Sequence, residues 1–473
     1  ISLMIFGLIL SILSGSCFYL SFAPHNLWPL AFVGSALFFF NLSGRSLRNR
    51  VLIALVTGMA FFLPLLQWSG TYVGSLPWLI LSIGESGLFA LIALFPYRRD
   101  LSSALLFSSA FALVELVRLK FPFSGFGWGR IGFTQLAPLS SLYPVFGVTG
   151  LTFVTIFLAT SALTKKRVAA LVAITLFFLI VVTNTFYNGR TPAQSISIAA
   201  VQGGVDRLGL DFNSRAFSVL DRHISETKRL MNKVDLVVWP ENSSDIDPIR
   251  NSTAHHEIEG LIKEVKTPLL VGAVEETSYG PSNSSLLFDT NGELSSRYVK
   301  QELAPFGEYI PLRPLAEAIS TDAKKVNNFV VGKEWTLHRI QGIPFASLIC
   351  FEIVDDDLVR GAIANGATFL VAQTNNATFG RSAEADQQLQ ITQARAAELG
   401  REIVVVSTTG HTAAINRSGR IVKEIPQFDS GVLLTQVHPE YGRTVASKVG
   451  SGAWFAGLAI VIAFLLRRSI FSR

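Results

Sequence analysis

Eight long apolar runs most constrain what this chain can fold into. They lie at residues 3–21, 28–43, 51–68, 77–96, 102–118, 142–163, 168–187 and 451–466. A run of about 17–23 apolar residues crosses a bilayer as an α-helix, because hydrocarbon offers no partner to backbone N–H and C=O groups. The pattern predicts a polytopic α-helical membrane bundle of eight spans, the second short enough to tilt or re-enter. Length alone, 473 residues, would suggest about three ordinary domains. Composition argues otherwise, with 49% of residues hydrophobic and 16% charged, against about 25% charged in soluble proteins. The apolar residues crowd the two ends, and the stretch between reads like an aqueous domain. Three segments are expected: a seven-helix membrane domain at 1–190, an aqueous domain at 195–438, and an eighth transmembrane helix at 450–468 with a basic tail.

The loops carry a second signal. Arg45, Arg48 and Arg50 follow the second run, Arg98 and Arg99 the fourth, Lys165, Lys166 and Arg167 the sixth, and Arg467 and Arg468 the eighth. Cationic loops stay in the cytoplasm. Both termini are therefore expected there, with the long segment on the opposite side. Arg118, Lys120 and Arg130, around the fifth-to-sixth connection, run against this. That connection, Phe121-Pro-Phe-Ser-Gly-Phe-Gly-Trp128, reads as an interfacial aromatic belt, with a lipid-facing lining of the site as the sharper alternative. The first run is read as a retained helix despite the faint resemblance of Leu13-Ser-Gly-Ser-Cys17 to a lipoprotein cleavage site. Its small residues suggest helix packing around Cys17. Glu85 and Glu115 are the main ionisable groups within spans and are functional candidates by default, though local pairing would also explain them.

The formal charge is +6, but the cations cluster at span ends, and no Lys/Arg block interleaved with aromatics suggests nucleic acid. Two cysteines, Cys17 and Cys350, lie in different environments, so no disulfide framework is expected. No CxxC or HExxH spacing supports a metal site, and no cofactor is expected.

In the aqueous stretch, runs at 196–201, 236–239, 269–274, 285–288, 346–350, 368–372 and 403–407 read as strands, several apolar throughout and so suited to burial on both faces. Phe217, Leu220, Ile224 and Met231 sit at helical spacing. Ser382 is placed to cap a helix ending near Leu399, where Gly400 would stop it. Residues 415–421 read as a hairpin turning at Ser418-Gly419. The sum is an α/β sandwich.

Three reactive groups close apolar or β-rich runs: Glu241 after Val-Val-Trp-Pro, Lys300 after Arg-Tyr-Val, and Cys350 after Ser-Leu-Ile. Strand ends are where α/β folds present their chemistry. Singly, each has an ordinary reading: a buried thiol, a helix-start acid, a solvated lysine. A thiol near its free pKa of about 8.5 is a poor nucleophile until ionised. Glu241 is suited to take its proton as general base. Lys300, with the backbone N–H of Phe351, is suited to hold the tetrahedral oxyanion. Glu308, eight residues past Lys300, can hold that ammonium. Glu352, beside the nucleophile, would orient the site or a substrate amine, or else form a structural salt bridge.

Glu, Lys and Cys in this chain order resemble the nitrilase superfamily, which implies an α-β-β-α sandwich. With the flanking spans, the chain resembles the membrane-embedded apolipoprotein N-acyltransferase family. The long stretch Tyr298-Val-Lys-Gln-Glu-Leu-Ala-Pro-Phe-Gly-Glu-Tyr-Ile-Pro311 matches that family's Lys followed by Pro-Phe-Gly-Glu. Val201-Gln-Gly203 resembles its opening strand, Arg395-Ala396, Glu398 and Arg401 its late helix, and Thr409-Gly410 the start of the next strand. Departures are Phe351 for Tyr, Asn376 and Thr378 within Asn-Asp-Ala-Trp-Phe-Gly, Thr408 for Asn, and no Trp in the loop after Gly203. The resemblance implies ping-pong transfer of an acyl chain from a phospholipid to Cys350 as a thioester. The α-amine of a diacylated lipoprotein's N-terminal cysteine then takes it. The implied setting is the bacterial inner membrane, with the catalytic domain extracytoplasmic, and a monomer is expected. Phe379 and Phe306 are candidates to dip into lipid, with ordinary packing as the alternative. The rival readings are a membrane-tethered amidase using water, and a catalytically silent binding or transport protein.

Overall fold

The structure, a computed structural model, describes residues 2–72, 74–187, 194–209, 213–305, 307–310, 313–314, 317 and 328–471. Residues 188–190, Phe306, Pro311 and the Arg468 side chain lie outside what is described. The chain divides into two compact units: Ile1–Arg190 with Thr444–Arg473, and Thr191–Arg443.

In the first unit, helices Ser2–Ser21, Pro29–Leu42, Leu47–Leu65, Ser75–Phe89, Leu101–Lys120, Tyr143–Thr164, Lys166–Tyr187 and Ser451–Phe471 fall on the eight apolar runs. Among the described residues, six stretches are long and apolar enough to cross a membrane: Met4–Ser21, Leu47–Leu65, Ser75–Leu94, Leu101–Lys120, Leu136–Thr164 and Lys166–Thr183. Pro29–Leu42 and Ser451–Arg467 are shorter apolar helices.

Small residues bring helices together here. A Cβ on Gly15 would lie 2.4 Å from the Thr57 carbonyl, and the Ser14 hydroxyl donates to the Gly34 carbonyl at 2.7 Å. Cys17 is half-buried next to this contact.

The intramembrane acids pair locally. Arg118 donates to the Glu85 carboxylate and, at 2.7 Å, to the Trp128 carbonyl. Glu115 accepts from the Thr152 hydroxyl at 2.6 Å and the Ile131 N–H at 2.7 Å, with Arg130 3.9 Å away. Arg118 and Arg130 are therefore internal partners of acids rather than loop charges. In the Phe121–Trp128 connection, Phe121 and Phe123 are exposed. Trp128 is buried against Trp68, with ring centroids 5.1 Å apart, so the interfacial reading does not extend to it.

Among its described residues the second unit has twelve strands: β1 (Ile196–Gln202), β2 (Leu236–Val238), β3 (Leu269–Thr277), β4 (Gly280–Phe288), β5 (Leu294–Val299), β6 (His338–Ile340), β7 (Ile343–Ile349), β8 (Leu370–Thr374), β9 (Ile403–Ser407), β10 (Thr412–Ile415), β11 (Ile421–Ile425) and β12 (Gly431–Val437). They form two six-stranded sheets, ordered β12-β1-β2-β3-β4-β5 and β11-β10-β9-β8-β7-β6.

Alternation along the strands explains the layers. Ile196, Ile198 and Ala200 of β1 share one apolar cluster with Phe345 of β7, Val371 of β8 and Val404 of β9, which is the core between the sheets. Ala199 and Val201 point the other way. They join Val237, Val271, Leu220, Ile258 and Ile262, which seats helices Ser218–Thr227 and Ser252–Val265 on the first sheet. Helix Glu384–Leu399 is stopped by Gly400 in the left-handed conformation at φ 62°. It is buried nearly all round, and Arg395 joins Asp356 and Glu398 at 2.6 Å each.

Three local readings need correction. The helix expected to reach Met231 ends at Thr227, leaving Met231 93% exposed. The Ser382 hydroxyl accepts the Glu384 N–H at 3.5 Å, but Ala383 occupies the cap. Thr409-Gly410 opens no strand, because β9 ends at Ser407 and β10 begins at Thr412.

Candidate active site

Three strand ends converge. Glu241 lies three residues past β2, Lys300 directly follows β5 in the same sheet, and Cys350 directly follows β7 in the other sheet. The backbone sets each one. A Cβ on Gly272 of β3 would lie 2.2 Å from the Pro240 carbonyl, so glycine there lets the Trp239-Pro-Glu241 segment lie against β3. Lys300 continues the β4–β5 ladder, its N–H donating to the Asn283 carbonyl at 2.9 Å. Cys350 has φ 53°, the left-handed region that costs a side-chain-bearing residue about 1–2 kcal/mol. It opens a single 3₁₀ turn, Cys350–Val354.

The side chains form one cluster. Lys300 Nζ lies 3.3 Å from Glu241 Oε1 and 2.8 Å from a Glu308 carboxylate oxygen. Asn283 Nδ2 donates to both acids, at 2.7 Å to Glu241 and 2.9 Å to Glu308. Glu308 also accepts the Ala304 N–H at 2.8 Å. Glu241 and Lys300 are 4% and 1% exposed, so their charges act through little solvent. Burial pulls the Lys300 ammonium down, but Glu308 and Glu241 more than offset this and leave it raised and charged. Burial lifts the Glu241 carboxyl above its usual range; Lys300 opposes that rise and Glu308 adds to it. Burial also pushes the Cys350 thiol well up, Glu241 adding to the rise and Lys300 opposing it. At rest Cys350 is therefore a neutral thiol beside a carboxyl of raised affinity for protons.

Glu352 is fully buried. Its carboxylate accepts from the N–H of Ile349 at 2.7 Å, Gln301 at 2.7 Å and Glu302 at 3.2 Å, and from the Tyr298 hydroxyl at 2.8 Å. Burial pushes it up to about 7 against those donors. Among the described residues these hydrogen bonds, rather than the alternative of a structural salt bridge, are what it makes. It ties the residue before Cys350 to the turn after Lys300, across the two sheets. Among the described residues no cluster of His, Cys, Asp and Glu is placed to hold a metal ion.

Gly272→Ala tests the backbone setting of Glu241. The added methyl must displace the Pro240 carbonyl, so a loss of about 1–3 kcal/mol of stability is expected. Any turnover that depends on Glu241 is expected to fall out of proportion, because Glu241 moves with Pro240. A thermal melt and a single-turnover rate check both.

Two family profiles cover the chain: the apolipoprotein N-acyltransferase N-terminal domain over residues 14–161 and the carbon-nitrogen hydrolase family over 197–447. An apolipoprotein N-acyltransferase of Mycolicibacterium smegmatis is 31% identical over 97% of this chain and 85% of its own length. The chain belongs to the apolipoprotein N-acyltransferase family. Another member, from Haemophilus influenzae, is 27% identical over 98% of this chain and 95% of its own. An amidase structure from Nesterenkonia sp. aligns at 18% identity over 52% of this chain and 91% of that one, with a TM-score of 0.38.

The departures from the apolipoprotein N-acyltransferase pattern have defined places. The Thr408 hydroxyl donates to the Glu241 carbonyl at 3.1 Å, and so helps hold the segment bearing the acid. Phe379 is half-buried. Asn376 is 3% exposed, and its Nδ2 donates to the Glu384 carboxylate at 2.6 Å. Sequence reasoning missed Asn283, Glu384 and Gln388. Only the polar character of an otherwise buried helix, Glu384–Leu399, could have signalled the last two.

Burial pushes the Glu384 carboxyl up to about 8, from an ordinary 4.5. The unfolded chain releases this proton near 4.5 and the folded one near 8, so the penalty on the folded state grows as pH climbs between them. Glu384→Gln is therefore expected to match wild-type stability near pH 4.5 and to exceed it above pH 8, by on the order of a few kcal/mol. Thermal melts at the two pH values check this.

Proposed function

We propose that this chain is an N-acyltransferase that moves a fatty acyl chain from a membrane phospholipid, through a thioester on Cys350, to the N-terminal α-amine of a diacylglyceryl-cysteine lipoprotein. The observation that carries the reading is the convergence of Glu241, Lys300 and a left-handed Cys350 in a member of this family.

In the first half-reaction Glu241 takes the thiol proton, and the thiolate sulfur attacks the ester carbonyl carbon of the phospholipid. The developing oxyanion is stabilised by the Lys300 ammonium and the Phe351 N–H. Collapse breaks the ester C–O bond, and the lysophospholipid alkoxide leaves with the proton from Glu241. In the second, the lipoprotein amine attacks the thioester carbonyl and gives its proton to Glu241. The C–S bond breaks, and the thiolate is reprotonated by the same acid. Glu308 and Asn283 hold Lys300 and Glu241 in register, and Glu352 positions the nucleophile turn.

Both substrates are anchored in lipid, which is what a membrane bundle joined to a catalytic domain serves. We take all eight apolar helices as spans, with both termini cytoplasmic and the catalytic unit extracytoplasmic. Four basic connections support this sidedness, and two of the opposing cations, Arg118 and Arg130, are neutralised internally. We take the working form to be a monomer.

The test is acyl-enzyme trapping. Purified protein is given phospholipid with a labelled acyl chain, and label bound through a thioester is released by neutral hydroxylamine. Addition of a diacylated lipopeptide then moves the label into an amide. Folded protein that takes no label from phospholipid overturns the reading in favour of an amidase acting on a soluble substrate.

A further inference from the structure

Beside the Glu241–Lys300–Cys350 cluster lies a chain of buried polar groups that the mechanism above leaves unused. It begins at the Gly410 N–H, which donates to the Ser407 hydroxyl oxygen at 2.8 Å. That hydroxyl donates to Asn376 Oδ1 at 2.6 Å, and the Thr374 hydroxyl donates to the same oxygen at 3.1 Å. With both hydroxyls donating to it, this end of the Asn376 amide is the oxygen. Its Nδ2 must then face the other way, donating to Glu384 at 2.6 Å and to Gln388 Oε1 at 3.1 Å. With its oxygen engaged, Gln388 presents Nε2 to Cys350 Sγ, 3.7 Å away. Gln388 and Asn376 are 4% and 3% exposed, so water does not substitute for these bonds. Gly410 is part of the device: a Cβ there would lie 2.2 Å from Asn376 Oδ1.

We propose that Gln388 is a catalytic residue whose Nε2–H stabilises the Cys350 sulfur as it gains negative charge, and that Asn376 is the positioning residue that keeps this amide turned donor-first. The inference rests on Cys350 being the nucleophile. It supplies what the thiol otherwise lacks, a donor aimed at sulfur in a buried site where carboxylates press against ionisation. It also gives a reason for Asn at 376, where the family pattern has Asp. A carboxylate there would face Glu384 at 2.6 Å and would offer Gln388 only acceptors. The Gln388 amide would turn over and present its oxygen to the thiolate.

The test uses the full-length protein in a Cys17→Ala background. Alkylation of Cys350 by iodoacetamide is followed from neutral to alkaline pH, beside the rate of thioester formation from labelled phospholipid. Gln388→Met keeps length and removes the donor. Its alkylation midpoint is expected to rise by about one pH unit and its acylation to slow about tenfold. Asn376→Asp is expected to shift the midpoint in the same direction, and to add nothing in the Gln388→Met background. A folded Gln388→Met with the wild-type alkylation profile overturns the proposal. If that variant does not fold, a wild-type profile in Asn376→Asp does so instead. A full additive shift in the double variant removes the positioning role of Asn376. Absence of label on wild-type protein sinks the lipid-donor reading, and the alkylation profiles still decide this one.

Discussion

Cys350→Ala will take no acyl label from phospholipid and will lose acyl transfer by on the order of 10⁴-fold or more. The size follows from the mechanism, in which both half-reactions pass through the sulfur, so its removal leaves no slower version of the same route. The fold is expected to persist. Alanine tolerates the left-handed backbone about as poorly as cysteine, so the strain is unchanged, and the deleted atom faces the site rather than the core between the sheets. Cys350→Ser sharpens the result. An alkoxide is far harder to form than a thiolate, and a carboxyl such as Glu241 is too weak a base for it, so serine is expected to behave like alanine. Mass spectrometry of the intact protein after incubation with phospholipid reads this. Substantial transfer by either variant would remove Cys350 from the reaction.

Lys300→Met will cost both activity and stability. In the native site one ammonium lies between two buried carboxylates, at 3.3 Å from Glu241 and 2.8 Å from Glu308. Removing one partner of a buried ion pair typically costs about 3–5 kcal/mol, because the remaining charge is left uncompensated. In a unit of this size that lowers Tm by roughly 10 °C. The loss is expected to depend on pH in a defined direction. Without the ammonium, the Glu241 carboxyl, already raised by burial, holds its proton further into the neutral range. The unfolded chain does not hold it there, so the deficit grows as pH rises through that range and shrinks in acid. Acyl transfer is expected to fall by about 10²–10³-fold from loss of oxyanion stabilisation alone. Melts at acidic and neutral pH, with single-turnover rates, check both parts. A deficit that grows in acid instead would contradict the carboxylate-pair argument.

How much was legible in the sequence depended on where each strand sits. Seven strands were read from apolar runs, and they are β1, β2, β3, β4, β7, β8 and β9, all interior to their sheets. The strands β6 and β12, which were missed, are edges, and so is β5, of which only the end before Lys300 was legible. An edge strand has neighbours on one side only and tolerates polar residues, so its composition does not betray it. The β10–β11 hairpin was visible only through its turn. The polar half of β4, Gly280 to Ser284, was invisible for the same compositional reason, although it carries Asn283. At the site, Glu241, Lys300 and Cys350 were legible because each ends a strand. Glu384 and Gln388 were not, because a helix rich in Glu, Gln and Arg reads as a surface helix. Here it is buried nearly all round, its charges neutralised by partners distant in sequence, such as Asp356 for Arg395.

Glu352 bridges the two halves of the site, taking N–H donors from Ile349 beyond the second sheet's core and from Gln301 beside Lys300 of the first. Residues 300 and 350 are fifty apart in the chain, so this junction closes late in any order of assembly that builds the sheets separately. Until it closes, the thiol has neither its base nor its ammonium at hand and reacts as an ordinary cysteine. On the proposed mechanism Cys350 is therefore armed by completion of the fold: a chain still emerging among lipids would be spared premature acylation, and a misassembled copy would be inert rather than promiscuous.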